Sequence, residues 1–196
     1  MPLAGPPGKL AAVSDEPDWT ERVDALTVTL VQGRDLQGVG EVLAFDWSTE
    51  RSVTFEEAED LQDWDASQFP VQVDELAGWL VVVEPNGYQA TQDDVLTALS
   101  ARGVAVTVFW NVNAKYQFTL ARGGEVVRSF DPFLQDWEPV GAALPEEAGL
   151  PFGAEDASQS AAALELARRV TGVALDGEWL LERPHRTWLT PGPPMP

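Results

Sequence analysis

No cysteine occurs anywhere in the chain, which removes disulfides, thiol nucleophiles and zinc–thiolate sites from its chemistry. Histidine occurs once, at His185, so the usual two- or three-histidine ligand sets of catalytic zinc and non-haem iron are missing. Only two lysines are present, Lys9 and Lys115. There is no uninterrupted apolar run near the ~18 residues needed to span a bilayer, and the opening "MPLAGPPGKLAAVSDEP" lacks the apolar core of a signal peptide. A soluble cytoplasmic protein is expected. The motifs of the common catalytic scaffolds are also missing: no GxSxG elbow, no P-loop, no GxGxxG after a strand, no HExxH and no EF-hand loop. No metal or other cofactor is expected.

Acid is what the chain has in excess. Thirty-two Asp and Glu against twelve Lys and Arg give a formal charge of −20. Phosphate backbones and anionic membranes are bound through clustered cations, so direct nucleic-acid binding and membrane attachment are not expected. A strong field of one sign speeds encounter with a basic protein partner, and it also serves plain solubility. Eight tryptophans and eight phenylalanines supply large apolar groups for a core.

Residues 1–17 and 190–196 are rich in Pro, Gly and Ala and read as disordered tails around a single domain, 18–189. Within it, "LTVTLVQG" (26–33) has the β-branched content of a strand. Asp35 can cap a following helix with Leu36, Val39, Val42 and Leu43 on one face. Thr54 and Glu57 stand at capping-box spacing ahead of a helix carrying Ala58, Leu61 and Trp64. "GWLVVVEPNG" (78–87) is the most apolar strand and stops at a Pro85-Asn86-Gly87 turn. Thr91 is placed to cap a helix with Val95, Leu96, Ala98 and Leu99 inward, and Gly103 to end it in the left-handed region. Strand 104–113 follows, so 79–113 reads as β-α-β, with a right-handed crossover if its strands are parallel neighbours. Residues 115–130 form a hairpin turning at Arg122-Gly123-Gly124, joined to the preceding strand through a bend near Ala114. An irregular stretch, 131–155, leads to a last helix over 157–171, with a Glu165–Arg169 pair and Gly172 as its stop. The pattern predicts an α+β domain: a twisted, largely antiparallel or mixed sheet of about five strands, with helices packed mainly on one face.

Polar residues in the middle of this sheet attract attention. Glu84 closes the most apolar strand, where desolvation would raise its pKa and suit acid–base work. In "VTVFWNVNAKYQF" (106–118), period two sets Asn111, Asn113 and Lys115 on one face of a strand. With the strands adjacent, Glu84, Asn86, Asn111, Asn113 and Lys115 would converge on a candidate site for a ligand or partner. The structural alternative has Glu84 paired with Arg128 or Lys115, Asn86 holding its turn, and the asparagines satisfying backbone groups at a bend. His185, with no catalytic partner at motif spacing, is expected at the surface.

Several of these segments occur together in a recognisable set: "VTLVQG" at 28–33, "VEPNG" at 83–87, "FWNVNA" at 109–114 and "GGEVVRSFDP" at 123–132. With this set the chain resembles an uncharacterised actinobacterial family catalogued only as a domain of unknown function, over most of residues 20–180. The resemblance implies a single small domain and brings no activity or cofactor with it. Three functions follow from the residues. The first is a non-enzymatic acidic interaction protein, of immunity, inhibitor or regulatory type. The second is a small-ligand or carbohydrate-binding module, and the third a hydrolase or lyase with Glu84 as acid–base.

Overall fold

The structure, a computed structural model, describes residues 19–134 and 138–192. The expected N-terminal tail and residues 193–196 of the C-terminal one lie outside the described residues. One antiparallel sheet dominates. Its strands are β1 (Leu26–Gln32), β2 (Asp46–Val53), β3 (Phe69–Leu76), β4 (Trp79–Pro85), β5 (Val104–Trp110), β6 (Tyr116–Arg122), β7 (Glu125–Phe130) and β8 (His185–Thr190). They lie in the order β2-β8-β3-β4-β1-β5-β6-β7, and every neighbouring pair is antiparallel. Among the described residues, four α-helices accompany them: α1 (Leu36–Leu43), α2 (Phe55–Glu59), α3 (Asp93–Ser100) and α4 (Gln159–Thr171).

Period-two alternation along β1 divides the core into two layers. Leu26, Val28 and Leu30 face α4 and Phe55 of α2, together with Val106, Val108, Phe118 and Leu166. Val31 joins the opposite layer, where Val39 and Leu43 of α1 meet Leu96 and Leu99 of α3 and Trp188 of β8. The expected sheet of about five strands with helices mainly on one face is therefore corrected. The sheet has eight strands, and helices cover both faces.

The three added strands were hidden for physical reasons. β2 ("DWSTERSV") is an edge strand exposed along most of its length, so it carries no apolar alternation. β3 is interrupted by Pro70, and its Gln72 is fully buried because its amide donates to the carbonyls of Val53 and Thr54. β8 lies between Pro184 and Pro191 and mixes His185 and Arg186 with Trp188. Thr190, assigned to the tail, is its last residue.

Other local expectations divide by how far they reach. Asp35 accepts the Gly38 amide at 2.8 Å, the Thr54–Glu57 capping box forms, and Gly172 ends α4 at φ 77°. α2, however, stops at Glu59, leaving Leu61 and the 49 % exposed Trp64 beyond it. Thr91 does not cap α3; its hydroxyl donates to the Tyr88 carbonyl, and Gln92 precedes the helix. Gly103 is not left-handed. Its need for glycine is close approach, since a Cβ there would run into the Gln32 carbonyl oxygen. Residues 79–113 do form β4-α3-β5 with the two strands parallel, but they are not neighbours: β1 inserts between them, antiparallel to both.

Candidate functional site

β4 delivers Glu84 to the layer that holds α1 and α3, opposite Thr27 of β1. A type II turn follows. Pro85 suits its second position, Asn86 takes φ 52° at the third, and the Gly87 amide closes it on the Glu84 carbonyl at 3.2 Å. The chain then doubles back so that the Glu84 carboxylate accepts from the Gln89 amide at 2.6 Å and the Ala90 amide at 2.9 Å. Glu84 is 2 % exposed, and no cation among the described residues pairs with it. Burial pushes its carboxyl up to about 7, against the lowering pull of those two amides. Arg128, a candidate partner, is spent elsewhere. It forms a two-pronged bond to Glu147 at 2.8 and 3.0 Å, with its guanidinium 4.4 Å over the Phe130 ring.

The second half of the predicted site is a loop. β5 stops at Trp110, and Asn111–Lys115 turns the chain into β6, with Ala114 at φ 55°. The Asn111 side-chain oxygen accepts from the amides of Asn113 and Lys115, which makes it the organiser of the turn. Asn113 and Lys115 are exposed, as is Val112 at 71 %. Both turns lie at the same end of the sheet, because Pro85 and Trp110 both pair with Leu26. Glu84 and Asn86 share one turn, and Asn111, Asn113 and Lys115 share the other. No hydrogen bond links the two groups. Asn86 reaches Gln62 instead, its side-chain amide donating at 3.0 Å.

What does collect at this end is acid from distant segments. A cleft of about 450 Å³ opens between the β5–β6 loop and the start of α4, lined by Glu21, Asp24, Asn111, Tyr116, Glu155 and Asp156 among others. Asp24 also borders a second cleft, of about 330 Å³, walled by Phe55, Glu56, Glu59, Glu182 and Arg22. Among the described residues, Arg22 is the one cation lining either, and it is held by Glu182 at 2.9 Å. Glu59 is exposed on the whole. Partial desolvation at the cleft wall, then repulsion from Asp24, Asp60 and Glu56, raises its carboxyl above the ordinary range. Among the described residues, no ion pair engages Glu21, Asp24, Glu56, Glu59, Glu155 or Asp156. The sequence offered no spacing that would gather segments so far apart. The acidic first turn of α2 is visible in it, but its neighbours are not.

His185 contradicts the surface expectation. It is 3 % exposed at the start of β8, with Nε2 donating to the Trp179 carbonyl at 2.7 Å and Nδ1 3.1 Å from Asp74 Oδ2. Its ring stands 4.6 Å from that of Trp179. The imidazole ties the 178–182 turn to β3 and β8, and the mixed polar and apolar run 185–190 carries no alternation that would have placed it.

No helix of the described residues is long and apolar enough to cross a membrane, and no group of three or more His, Asp or Glu among them could hold a metal ion. A family model described as "Family of unknown function (DUF6461)" matches residues 16–191, and the chain belongs to that family. No curated protein and no solved structure matches the chain.

Proposed function

We propose that this member of a family of unknown function is a non-enzymatic partner-binding protein, which docks a basic surface of another protein against its acidic end. One observation carries the reading. Carboxylates from the segments around residues 21–24, 56–60 and 155–156 line two adjoining clefts, and at one of them desolvation, with added repulsion from Asp24, Asp60 and Glu56, holds Glu59 above its ordinary range. A lysine or arginine side chain brought into that space relieves the repulsion, and a field of one sign steers its approach. An inhibitor, an immunity-type protein or a regulatory subunit would all use such a face. Catalysis by Glu84 draws little support, because its two oxygens are already bonded to backbone amides and it lines neither cleft.

Binding of an arginine- and lysine-rich peptide, followed by calorimetry, tests the reading. Affinity should fall steeply as salt rises over the range in which the Debye length shrinks from roughly 30 to 8 Å. It should fall again in a protein with Asp24→Asn, Glu59→Gln, Glu155→Gln and Asp156→Asn. Binding that ignores both salt and these four substitutions would refute the proposal.

A further inference from the structure

The acidic clefts lie at the end of the sheet where Leu26 pairs with Pro85 and Trp110. Toward the other end, on the face that carries α1, a third cleft of about 450 Å³ opens. Its floor is a row across three strands. Glu75 of β3 stands opposite Leu80 of β4, and Leu80 stands opposite Val31 of β1. Behind that row Val73 pairs with Arg186 of β8. Period two turns Val31, Val73, Glu75 and Leu80 to the same side of the sheet. Leu36, where α1 begins, and Arg34 before it line the far side. Val31 and Val73 are buried, whereas Leu36 and Leu80 are only half-buried, so an apolar strip faces the opening.

Glu75 and Arg186 are diagonal neighbours on this face, near enough for long side chains to meet. They do not pair. Arg186 lies 4.8 Å over the Trp188 ring and donates from Nε and Nη2 to one oxygen of Glu50, at 3.1 and 2.8 Å. Its Nη1 makes no hydrogen bond among the described residues. Among the same residues, no ion pair engages Glu75. Arg34, across the cleft, is turned to the end of α3 and donates to the Ala98 and Leu99 carbonyls. One side of the cleft therefore presents a charged donor and a charged acceptor together, and the apolar strip leads away from them. From Glu75 to Val31 that strip crosses two strand spacings, about 9–10 Å. A purely anionic or purely cationic ligand is matched by one of the two groups and repelled by the other. A ligand with an ammonium and a carboxylate on one carbon satisfies both, and the excess acid of the chain neither attracts nor repels it as a whole.

We propose that this cleft binds a free α-amino acid with an apolar side chain. The ammonium sits on the Glu75 carboxylate, the carboxylate on the Arg186 guanidinium, and the side chain lies along Leu80 and Val31 toward Leu36. The volume is that of a small-molecule site, and its pattern is the usual one, an apolar bed with a few polar groups that fix orientation. A leucine or phenylalanine side chain covers the half-buried Leu80 and Leu36. A polar side chain would lie on the strip with its hydrogen bonds unmade. The site is separate from the acidic end and does not depend on the partner-binding role proposed for it.

Titration of the full chain with leucine and with phenylalanine, followed by calorimetry and by amide chemical shifts, tests the site. Both should bind, with shifts centred on Val31, Leu36, Glu75 and Leu80. N-acetylleucine lacks the ammonium, leucinamide the carboxylate and glycine the side chain. Each should bind at least about tenfold more weakly than leucine. Glu75→Gln should weaken leucine by a similar factor and leave N-acetylleucine unchanged, and the three analogues carry the test on the unmodified protein if that variant does not fold. Asp24→Asn with Glu59→Gln, at the acidic clefts, should leave leucine binding as it was, so this site and the partner-binding face succeed or fail separately. Four results would each overturn the proposal: no shift with either amino acid up to about 10 mM, shifts centred elsewhere, N-acetylleucine binding as well as leucine, or Glu75→Gln without effect.

Discussion

Replacing Arg128 with methionine should be among the most damaging single changes at a charged position. Arg128 is 6 % exposed on β7, and its partner Glu147 is nearly as enclosed, with 11 % of its side chain accessible. The guanidinium makes two bonds to the Glu147 carboxylate, donates to the Val140 and Gly141 carbonyls at 3.4 and 3.1 Å, and lies over Phe130. It thereby fastens the 139–147 segment onto the edge strand of the sheet, where Val140 bridges Ser129. Methionine keeps most of the apolar stem but leaves Glu147 as a buried charge with only the Leu144 amide to answer it. Breaking a buried pair in this way costs about 3–5 kcal/mol, chiefly through the stranded charge. For a chain of this length that lowers the melting midpoint by roughly 6–20 °C. Urea unfolding at neutral pH measures the cost, and a second protein carrying Arg128→Met with Glu147→Leu separates its causes. Removing both charges should recover most of the loss. A cost below about 1 kcal/mol for the single change would mean the pair is solvated. A double replacement as unstable as the single would place the energy in the two carbonyl bonds instead.

On α4, hydrogen bonding to Arg168, and to Arg169 in turn, holds the Glu165 carboxyl down at about 2 against the opposing effect of its partial burial. Its contribution is therefore present above about 4.5 and lost as pH falls toward 2. Glu165→Gln should cost only about 0.5–1 kcal/mol at neutral pH, because solvent screens a pair this exposed. The cost should disappear in unfolding curves at acid pH, and a deficit undiminished there would show that packing is responsible. At the turn before β5, Gly103→Ala would drive a methyl group into the Gln32 carbonyl and should cost about 1–3 kcal/mol by thermal unfolding. An unchanged midpoint would mean that the two backbones stand farther apart than the structure has them.

How much of this was legible in the sequence follows from the range of each determinant. The cap at Asp35, the capping box at Thr54 and Glu57, the glycine stop at Gly172 and the two-glycine hairpin at 123–124 are set within four residues, and all four are present. β2, β3 and β8 are settled by their neighbours instead. They form one contiguous side of the sheet, and each tolerates polar residues because another strand, a helix or water satisfies them. The placing of Asn111, Asn113 and Lys115 on one strand face fails for a related reason. Period two was extended past the end of β5, into a loop where the Asn111 side chain replaces a strand neighbour as hydrogen-bond acceptor. Of the predicted site, the desolvation of Glu84 was readable from the apolar run before it. Its companions were not, because the insertion of β1 between β4 and β5 is decided by long-range pairing.

The distribution of charge bears on the proposed binding role. Cations are scarce, and the arginines are largely committed: Arg22, Arg128, Arg168, Arg169, Arg183 and Arg186 sit in ion pairs, while Arg34 donates to the Ala98 and Leu99 carbonyls at the end of α3. The excess negative charge is therefore carried by carboxylates without partners. Solubility asks only that such groups face water, and it is served best when they are dispersed. Asp24, Glu56, Glu59 and Asp60 are gathered instead, and their repulsion adds to the desolvation that chiefly raises the Glu59 carboxyl. Local rules broken at a cost to stability tend to mark sites with a function. Under the proposed function, a basic partner seated between residues 21–24, 56–60 and 155–156 would recover that cost on binding.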